Sequence, residues 1–150
     1  MKSKKIYFVL FGLVLAALSG CAAGPGVTKA ADESAIRTRA VERWELLIAH
    51  KAEKAWDYLT PGYRTTKPRQ AYADEMNSRG MRWTKVTFAS QECDVDTCKV
   101  SLMVGYTVDL GGLAGRVGSA SPVVETWVKI KGSWYYLPEQ LQPSKLGGNS

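Results

Sequence analysis

The sequence contains a single histidine, His50, among 150 residues, and it falls at a break between two helical segments. A Ser-His-Asp triad cannot be built around a histidine in that position, which we expect to lie at the surface or at the joint. Long apolar runs are also lacking, because the run at residues 6–18 is shorter than the roughly 20 residues that cross a bilayer as a helix. These shortages argue against histidine-based catalysis and against a membrane-spanning helix near the N-terminus.

The N-terminal segment has a basic part, an apolar part and then a cysteine. Three lysines at positions 2, 4 and 5 precede the apolar residues 6–18, and Leu18-Ser19-Gly20-Cys21 closes the segment. This order is typical of a signal peptide, and it resembles the lipobox of a bacterial lipoprotein. The resemblance implies that residues 1–20 are removed, that the Cys21 thiol carries a diacylglyceryl group, and that the new amine is acylated by a fatty acid such as palmitate.

This resemblance also implies a location. Several acyl chains on Cys21 anchor a protein stably, whereas one chain binds only marginally. Ala22 rather than Asp after the cysteine is similar to lipoproteins of the outer membrane that face the periplasm. The alternative is an ordinary signal peptide with an incidental cysteine. We expect residues 21–33 to hold the lipidated cysteine and a flexible tether.

The net charge is too small to indicate a nucleic-acid partner. It is +6 for the whole chain and +3 without the three lysines of the signal peptide. The remaining basic residues are scattered along the sequence, which is not the pattern of a nucleic-acid surface. The mature length predicts one domain, at residues 34–138, followed by a flexible tail at residues 139–150.

With Cys21 assigned to lipid, Cys93 and Cys98 form an even pair in an oxidising compartment, which predicts a disulfide. The bridge would close the tip of a hairpin. A metal site that uses Asp94 and Asp96 is the alternative, but Lys99 stands where a calcium loop needs glycine. A single pair of cysteines at this spacing is not typical of zinc either. The sequence therefore predicts a disulfide, no metal and no cofactor.

Helical periodicity dominates residues 34–77. Apolar residues recur at spacings of three and four before and after a break at residues 49–51, with Asp32 or Ser34 as the N-cap. Polar residues such as Arg43 occupy the remaining positions. Thr60-Pro61-Gly62 is expected to stop this segment, and a further short helix begins near Thr66 and ends by Gly80.

Beyond Gly80 the period changes to two, which predicts antiparallel strands and an α+β fold with helices on one face of the sheet. Lys131-Gly132-Ser133 is expected to turn the last hairpin. The glycine-rich residues 111–119 fit no phosphate-binding motif and form either a connection or a partner-binding loop. The alternation assigns the following residues to the inner face: Val100, Leu102, Val104, Tyr106, Val108, Val124, Thr126, Val128 and Ile130.

Two stretches resemble the nuclear transport factor 2-like superfamily, in which helices cover a cone formed by a curved antiparallel sheet. Residues 55–64, Ala-Trp-Asp-Tyr-Leu-Thr-Pro-Gly-Tyr-Arg, are similar to its second-helix region, and residues 128–135, Val-Lys-Ile-Lys-Gly-Ser-Trp-Tyr, to its last hairpin. A cystatin-like or other α+β domain is the alternative. The resemblance implies a pocket and a dimerising sheet, but no particular activity.

No catalytic residue is predicted. Enzymes of the superfamily that the chain resembles place an Asp or His in the cone. The inner face assigned above holds no carboxylate, because the alternation places Glu125 on the opposite face of the sheet. Four tyrosines could offer hydroxyl groups to a ligand or pack in the core: Tyr58, Tyr63, Tyr72 and Tyr106, of which Tyr58, Tyr72 and Tyr106 are the predicted pocket.

The outer sheet face is predicted to carry Trp83, Met103 and Trp127, which suits a second copy of the chain or another envelope protein. The alternation also places lysines on this face, and lysines are depleted at interfaces, so they oppose that prediction. The sequence thus predicts a membrane-anchored lipoprotein of the cell envelope that acts as a non-catalytic binding or assembly module. The alternative is a small-molecule binder or an enzyme of the isomerase or dehydratase type with its ligand in the cone.

Overall fold

The computed structural model describes residues 29–112 and 115–139. The predicted signal peptide, Cys21, residues 22–28 of the tether and residues 140–150 of the tail lie outside the described residues. The helices are α1 Lys29–Ile48, α2 Ala52–Ala55 followed by a short 3-10 turn Trp56–Tyr58, α3 Pro61–Thr66 and α4 Arg69–Asn77. The strands are β1 Met81–Cys93, β2 Thr97–Asp109, β3 Arg116–Ile130 and β4 Ser133–Leu137.

The four strands form one antiparallel sheet in chain order, β1-β2-β3-β4. Cys93 and Cys98 lie opposite each other at the end of the β1–β2 hairpin and form the predicted disulfide. Lys131 and Gly132 turn β3 into β4 with positive φ angles of 50° and 82°, as a two-residue hairpin requires. Both hairpins therefore form where the sequence predicts them.

Helix α1 lies across one face of the sheet and supplies much of the core. Its residues Ile36, Ala40 and Leu47 are buried, because they recur on one side of the helix. They meet the inner side of β2, where Val100 and Leu102 are buried. The predicted α+β class, with N-terminal helices packed on one face of a curved antiparallel sheet, is confirmed.

The helical layer differs from the prediction at two positions. Helix α1 begins at Lys29, so the last residues of the predicted tether are helical. The earlier helical segment ends at Tyr58, as predicted, but residues 60–62 begin another helix: Thr60 is the N-cap of α3, and Pro61 occupies its first turn, where a missing N–H costs nothing. The Thr60 N–H donates to Tyr136 O at 3.0 Å, which ties this layer to β4.

Strand β3 overturns the predicted face assignment. It begins at Arg116, earlier than predicted, and its register with β2 pairs Val100 with Glu125 and Cys98 with Trp127. Residues directly opposite in antiparallel strands share a face. The odd-numbered residues of β3 therefore face the helices, whereas Val124, predicted to be inside, is 63% exposed.

Among the described residues, no helix is both long enough and apolar enough to cross a membrane.

Candidate functional site

A buried carboxylate, Glu125, occupies the centre of the cone. Its Oε1 accepts hydrogen bonds from Arg43 Nη1 at 2.5 Å and from Trp44 Nε1 at 2.8 Å. Its Oε2 accepts a third from Trp127 Nε1 at 3.0 Å. Glu125 is only 1% exposed. Helix α1 and strand β3 each supply part of this cluster, so it forms only when the two layers pack together.

Arg43 carries the charge that balances Glu125. Burial by itself lowers the pKa of Arg43, but Glu125 together with Tyr72 and Tyr136 raises the pKa by more, so the guanidinium stays charged. Its Nη2 lies 3.4 Å from Tyr72 Oη, and its central carbon lies 4.0 Å from the centre of the Tyr136 ring. The Arg43 Nε is buried and has no hydrogen-bond partner among the described residues.

This cluster lines a cavity of about 320 Å³ between the helices and the sheet. Such a volume lies at the lower end of the range for small-molecule sites. The apolar part of the wall comes from both layers, and the edge-to-face pair Trp44–Trp83 forms one side. The full lining is Arg43, Trp44, Leu47, Tyr63, Tyr72, Glu75, Met76, Arg79, Trp83, Val123, Glu125, Tyr136, Pro138 and Glu139.

Three tyrosines face this cavity: Tyr63, Tyr72 and Tyr136. Burial raises the pKa of Tyr136 to about 12, an effect that the nearby Arg43 charge opposes and Glu125 supports. Burial also raises the pKa of Tyr63. Tyr72 Oη already receives the long contact from Arg43. The cavity therefore offers phenol hydroxyl groups to a ligand.

The geometry of Glu125 suits a structural anion better than a general base. A base must present a free oxygen lone pair to a substrate proton at hydrogen-bond distance. Both oxygens of Glu125 already accept hydrogen bonds, and its charge is paired with Arg43. The arrangement can orient a ligand and exclude water, but it offers no unengaged carboxylate deep in the cavity.

The structure places the predicted pocket tyrosines at different sites, and only some of them line the cavity. Tyr72 and Tyr63 line the cavity, as does Tyr136, which the sequence did not indicate. The prediction was wrong for Tyr58, which lies on the outer side of the helical layer and donates to Glu42 Oε2 at 3.1 Å. It was also wrong for Tyr106, which sits opposite Trp83 and Ser119 in the sheet and does not line the cavity.

The residues predicted for the outer sheet face also lie on different faces. Met103 is 42% exposed on the outer face, as expected from its phase. Trp127 is 0% exposed and donates to Glu125, so its placement on the outer face was wrong. Trp83 was also misplaced: a shift of register between Trp83 and Lys85 turns its side chain inward, where it contacts Trp44. The outer face therefore holds neither tryptophan.

Sequence reasoning missed Arg43 and Glu125 for one physical reason. The even-numbered residues of β3 are more apolar than the odd-numbered ones, so the alternation predicted that the even-numbered residues face the core. A buried pair of opposite charges does not follow this pattern. Trp127 was the signal that could have corrected the phase, because a tryptophan buries more apolar area than a valine. Arg43 left no comparable signal, since a charged position on an amphipathic helix normally faces water.

The other residues that the sequence analysis singled out do not line the cavity. His50 is exposed and takes a positive φ of 54° at the joint between α1 and α2. Residues 116–119 of the predicted glycine-rich loop belong to β3 instead, because that strand begins at Arg116. Within residues 29–112 and 115–139, no three His, Cys, Asp or Glu side chains group as metal ligands.

Fold and cavity together define a two-layer α+β domain with a small, charge-balanced cavity between helices and sheet. No family model matches the chain, and no curated protein matches it. Solved structures do align with it. A SEC-C motif containing protein from Rhodopseudomonas palustris is 11% identical over 67% of this chain and 73% of that protein, with a TM-score of 0.53.

A SEC-C motif containing protein from Psychrobacter arcticus is 15% identical over 75% of this chain and 63% of its own, with a TM-score of 0.55. At such identities the two alignments show a shared fold and nothing about activity. An NTF2-like transpeptidase from Campylobacter jejuni is 11% identical over 69% of this chain and 98% of its own. Its TM-score of 0.45 is too low to support a family assignment.

Proposed function

We propose that the protein is a lipid-anchored, non-catalytic binding module of the bacterial cell envelope, and that its binding site is the cavity lined by Arg43 and Glu125. The nuclear transport factor 2-like superfamily is the family we propose for it. The lipobox at Leu18-Ser19-Gly20-Cys21 supports the anchor and the outer-membrane location. The cavity supports the binding role.

One observation carries the binding role: Glu125 is saturated with hydrogen bonds from Arg43, Trp44 and Trp127. A cavity whose only deep carboxylate is engaged in this way holds its shape without a ligand, and preorganisation favours binding. The tyrosine hydroxyls remain as donors. These groups suit a small, uncharged and partly aromatic ligand that carries an acceptor oxygen or nitrogen.

Assembly through the outer sheet face is less well supported than binding in the cone. The sequence prediction for that face depended on three residues, and Trp83 and Trp127 lie on the inner side. Met103 and Val124 remain exposed there. Two exposed aliphatic side chains form a small apolar patch, and small patches are common on monomeric proteins.

A pair of adjacent valines on β3 allows a matched test. Val123 lines the cavity, whereas Val124 points to the outer face. We expect Val123→Phe to fill the cavity and remove ligand binding, while Val124→Phe leaves it intact. The measurement is the melting temperature of the full chain with a panel of uncharged aromatic metabolites, followed by native mass spectrometry of any hit. A ligand at about 100 times its Kd raises the free energy of unfolding by about 2.7 kcal/mol.

The same two variants give the result that would refute the proposal. If no compound raises the melting temperature of the unsubstituted protein and its native mass shows no bound molecule, the cone is not the binding site. If Val124→Phe removes a measured shift and Val123→Phe does not, the ligand binds on the outer face. Both variants must show one cooperative unfolding transition for the comparison to hold.

A further inference from the structure

A second groove lies on the outer side of the helical layer, between α1, α2, α3 and the start of β4. Its volume is about 660 Å³, and it is open to solvent along its length. Three cations line it, Arg39, Lys54 and Arg64, together with the rings of Tyr58 and Tyr135. The groove shares no lining residue with the Arg43–Glu125 cavity, so nothing in the proposed function depends on it.

Arg39 is held in place by three contacts. Its Nε donates to Trp134 O at 2.8 Å. Its central carbon lies 4.7 Å from the centre of the Tyr58 ring and 5.7 Å from that of Tyr135. The two terminal nitrogens have no hydrogen-bond partner among the described residues. The guanidinium is thus oriented in advance, with its remaining N–H groups available to a ligand.

Arg64 approaches the Tyr135 ring as well. Its central carbon lies 5.7 Å from the centre of the Tyr135 ring and 5.1 Å from that of Trp56. Two guanidinium groups therefore lie near the Tyr135 ring. Lys54 adds a third cation to the groove, and its ammonium group has no ion-pair partner within residues 29–112 and 115–139.

Asp57 also lines the groove, and both Asp57 and the nearby Glu42 are already engaged by other side chains. Asp57 Oδ2 and Oδ1 accept from Arg69 Nη1 at 2.9 Å and Nη2 at 2.7 Å, a bidentate pair. Arg64 Nη1 lies 3.8 Å from Asp57 Oδ1, beyond hydrogen-bond distance. Glu42 accepts from Tyr58 Oη. Within the described residues, Arg39 and Lys54 thus face the groove without an ion-pair partner, and Arg64 shares Asp57 with Arg69 at the longer distance.

We infer that this groove is a binding site for the phosphate group of an organic phosphate. A phosphate offers three oxygens to three separate cations, whereas a carboxylate offers only two. Arginine forks match phosphate geometry, and a lysine supplies a point charge. The rings of Tyr58 and Tyr135 keep the arginine planes fixed, so little side-chain freedom is lost on binding. The phosphate could belong to a soluble metabolite or to a lipid headgroup.

Two charge-matched double variants test the inference. Lys54→Gln with Arg64→Gln removes two groove cations, while Arg82→Gln with Lys85→Gln removes two exposed cations from β1. Inorganic phosphate is titrated into the full chain at low salt and followed by 31P NMR and calorimetry. We expect the groove variant to weaken binding about tenfold or more, since it loses two charge-assisted contacts, and the β1 variant to bind as the unsubstituted protein does.

Equal weakening by both double variants would overturn the inference, because it would mean that phosphate responds only to net charge. Absence of phosphate binding to the unsubstituted protein would overturn it too. Lys54→Gln alone changes an exposed side chain, so weaker binding in that variant cannot come from misfolding. Arg64→Lys keeps the charge but removes the planar fork, and we expect it to weaken binding as well.

Two further probes distinguish the source of the phosphate. Glucose 1-phosphate represents a soluble metabolite, and monomeric dihexanoylphosphatidic acid, which is also a phosphomonoester, represents a lipid headgroup. Tighter binding of either one than of inorganic phosphate, lost in the Lys54→Gln, Arg64→Gln variant, supports the site and names its source. If both bind equally well to the groove variant and to the unsubstituted protein, the groove is not the site.

Discussion

Arg43 and Glu125 form a buried ion pair that is completed by hydrogen bonds from two indole groups. Taking two charges out of water costs several kcal/mol each, and their attraction offsets that cost only when the geometry is good. Here Glu125 gains bonds from Trp44 and Trp127 as well as from Arg43. Removing one partner should therefore be far more harmful than replacing the whole cluster.

Arg43→Met is expected to lower the free energy of unfolding by about 3–5 kcal/mol, because Glu125 would remain buried without its countercharge. Glu125→Gln should cost a similar amount, since it leaves the Arg43 charge unpaired. The double variant should be more stable than the sum of the two losses predicts. Urea unfolding followed by tryptophan fluorescence measures all three. Additive losses would show that the two side chains are not coupled.

Trp127 and Met103 allow a direct comparison of the two sheet faces. Trp127→Asp buries an unpaired carboxylate in the core and removes a donor to Glu125, so we expect it to abolish folding or to lower stability by more than about 4 kcal/mol. Met103→Asp lies on the exposed face and should change stability by about 1 kcal/mol or less. Far-UV circular dichroism and thermal melting check both. A folded Trp127→Asp protein would contradict the face assignment of β3.

At the scale of elements, the N-terminal turn of α1 is tied to the last hairpin by Asp32. Its Oδ2 accepts from Lys129 Nζ at 2.5 Å, and its Oδ1 lies 3.4 Å from Trp134 Nε1. The bond from Lys129 is the main cause that lowers the pKa of Asp32, with burial acting in the opposite direction. This contact extends the helix into the region that the sequence predicts as tether.

A lowered pKa in the folded state fixes the sign of the pH dependence. The contribution of Asp32 to the free energy of unfolding is fully present above its pKa of about 4 in the unfolded chain. It is lost as the pH falls through the lower pKa of Asp32 in the folded protein. Asp32→Asn should therefore melt at a lower temperature than the unsubstituted protein at neutral pH, and the difference should shrink below about pH 4. Thermal melts at several pH values measure it. A difference that stays constant with pH would mean that the Asp32 charge does not matter.

Local signals predicted most elements correctly. The break near His50, the disulfide hairpin and the Lys131-Gly132 turn depend on residues close in sequence, and the structure shows all three. Local signals missed the start of α3 at Pro61, because a proline that follows one helix can equally begin the next one. They failed at β3 because its phase is set by its register with β2 and not by its own residues.

At the scale of the whole molecule, the number of residues between Cys21 and α1 limits how far the folded domain can lie from the proposed anchor. The chain between Cys21 and Lys29 spans at most about 30 Å even when fully extended. A protein anchored through Cys21 would therefore keep its cavity and groove near the membrane surface.

We expect Cys21→Ser in the full chain to move the protein from the membrane fraction to the soluble fraction, because the lipids that would anchor it attach through that thiol. The matched control is Cys93→Ser with Cys98→Ser, which also removes thiols but should leave the protein in the membrane fraction. Cell fractionation with immunodetection measures both. Retention of the Cys21→Ser protein in membranes would contradict the lipid anchor.

The sequence by itself determined the fold class, the helix break, the two hairpin turns and the disulfide, because periodicity and turn chemistry are local properties of the chain. Tertiary structure alone decided that Glu125 and Trp127 face the helices and that Arg43 is buried with them. A charge can enter a core only if its countercharge arrives from another element, here α1 meeting β3. The lining of the cavity followed from that pairing across the two layers.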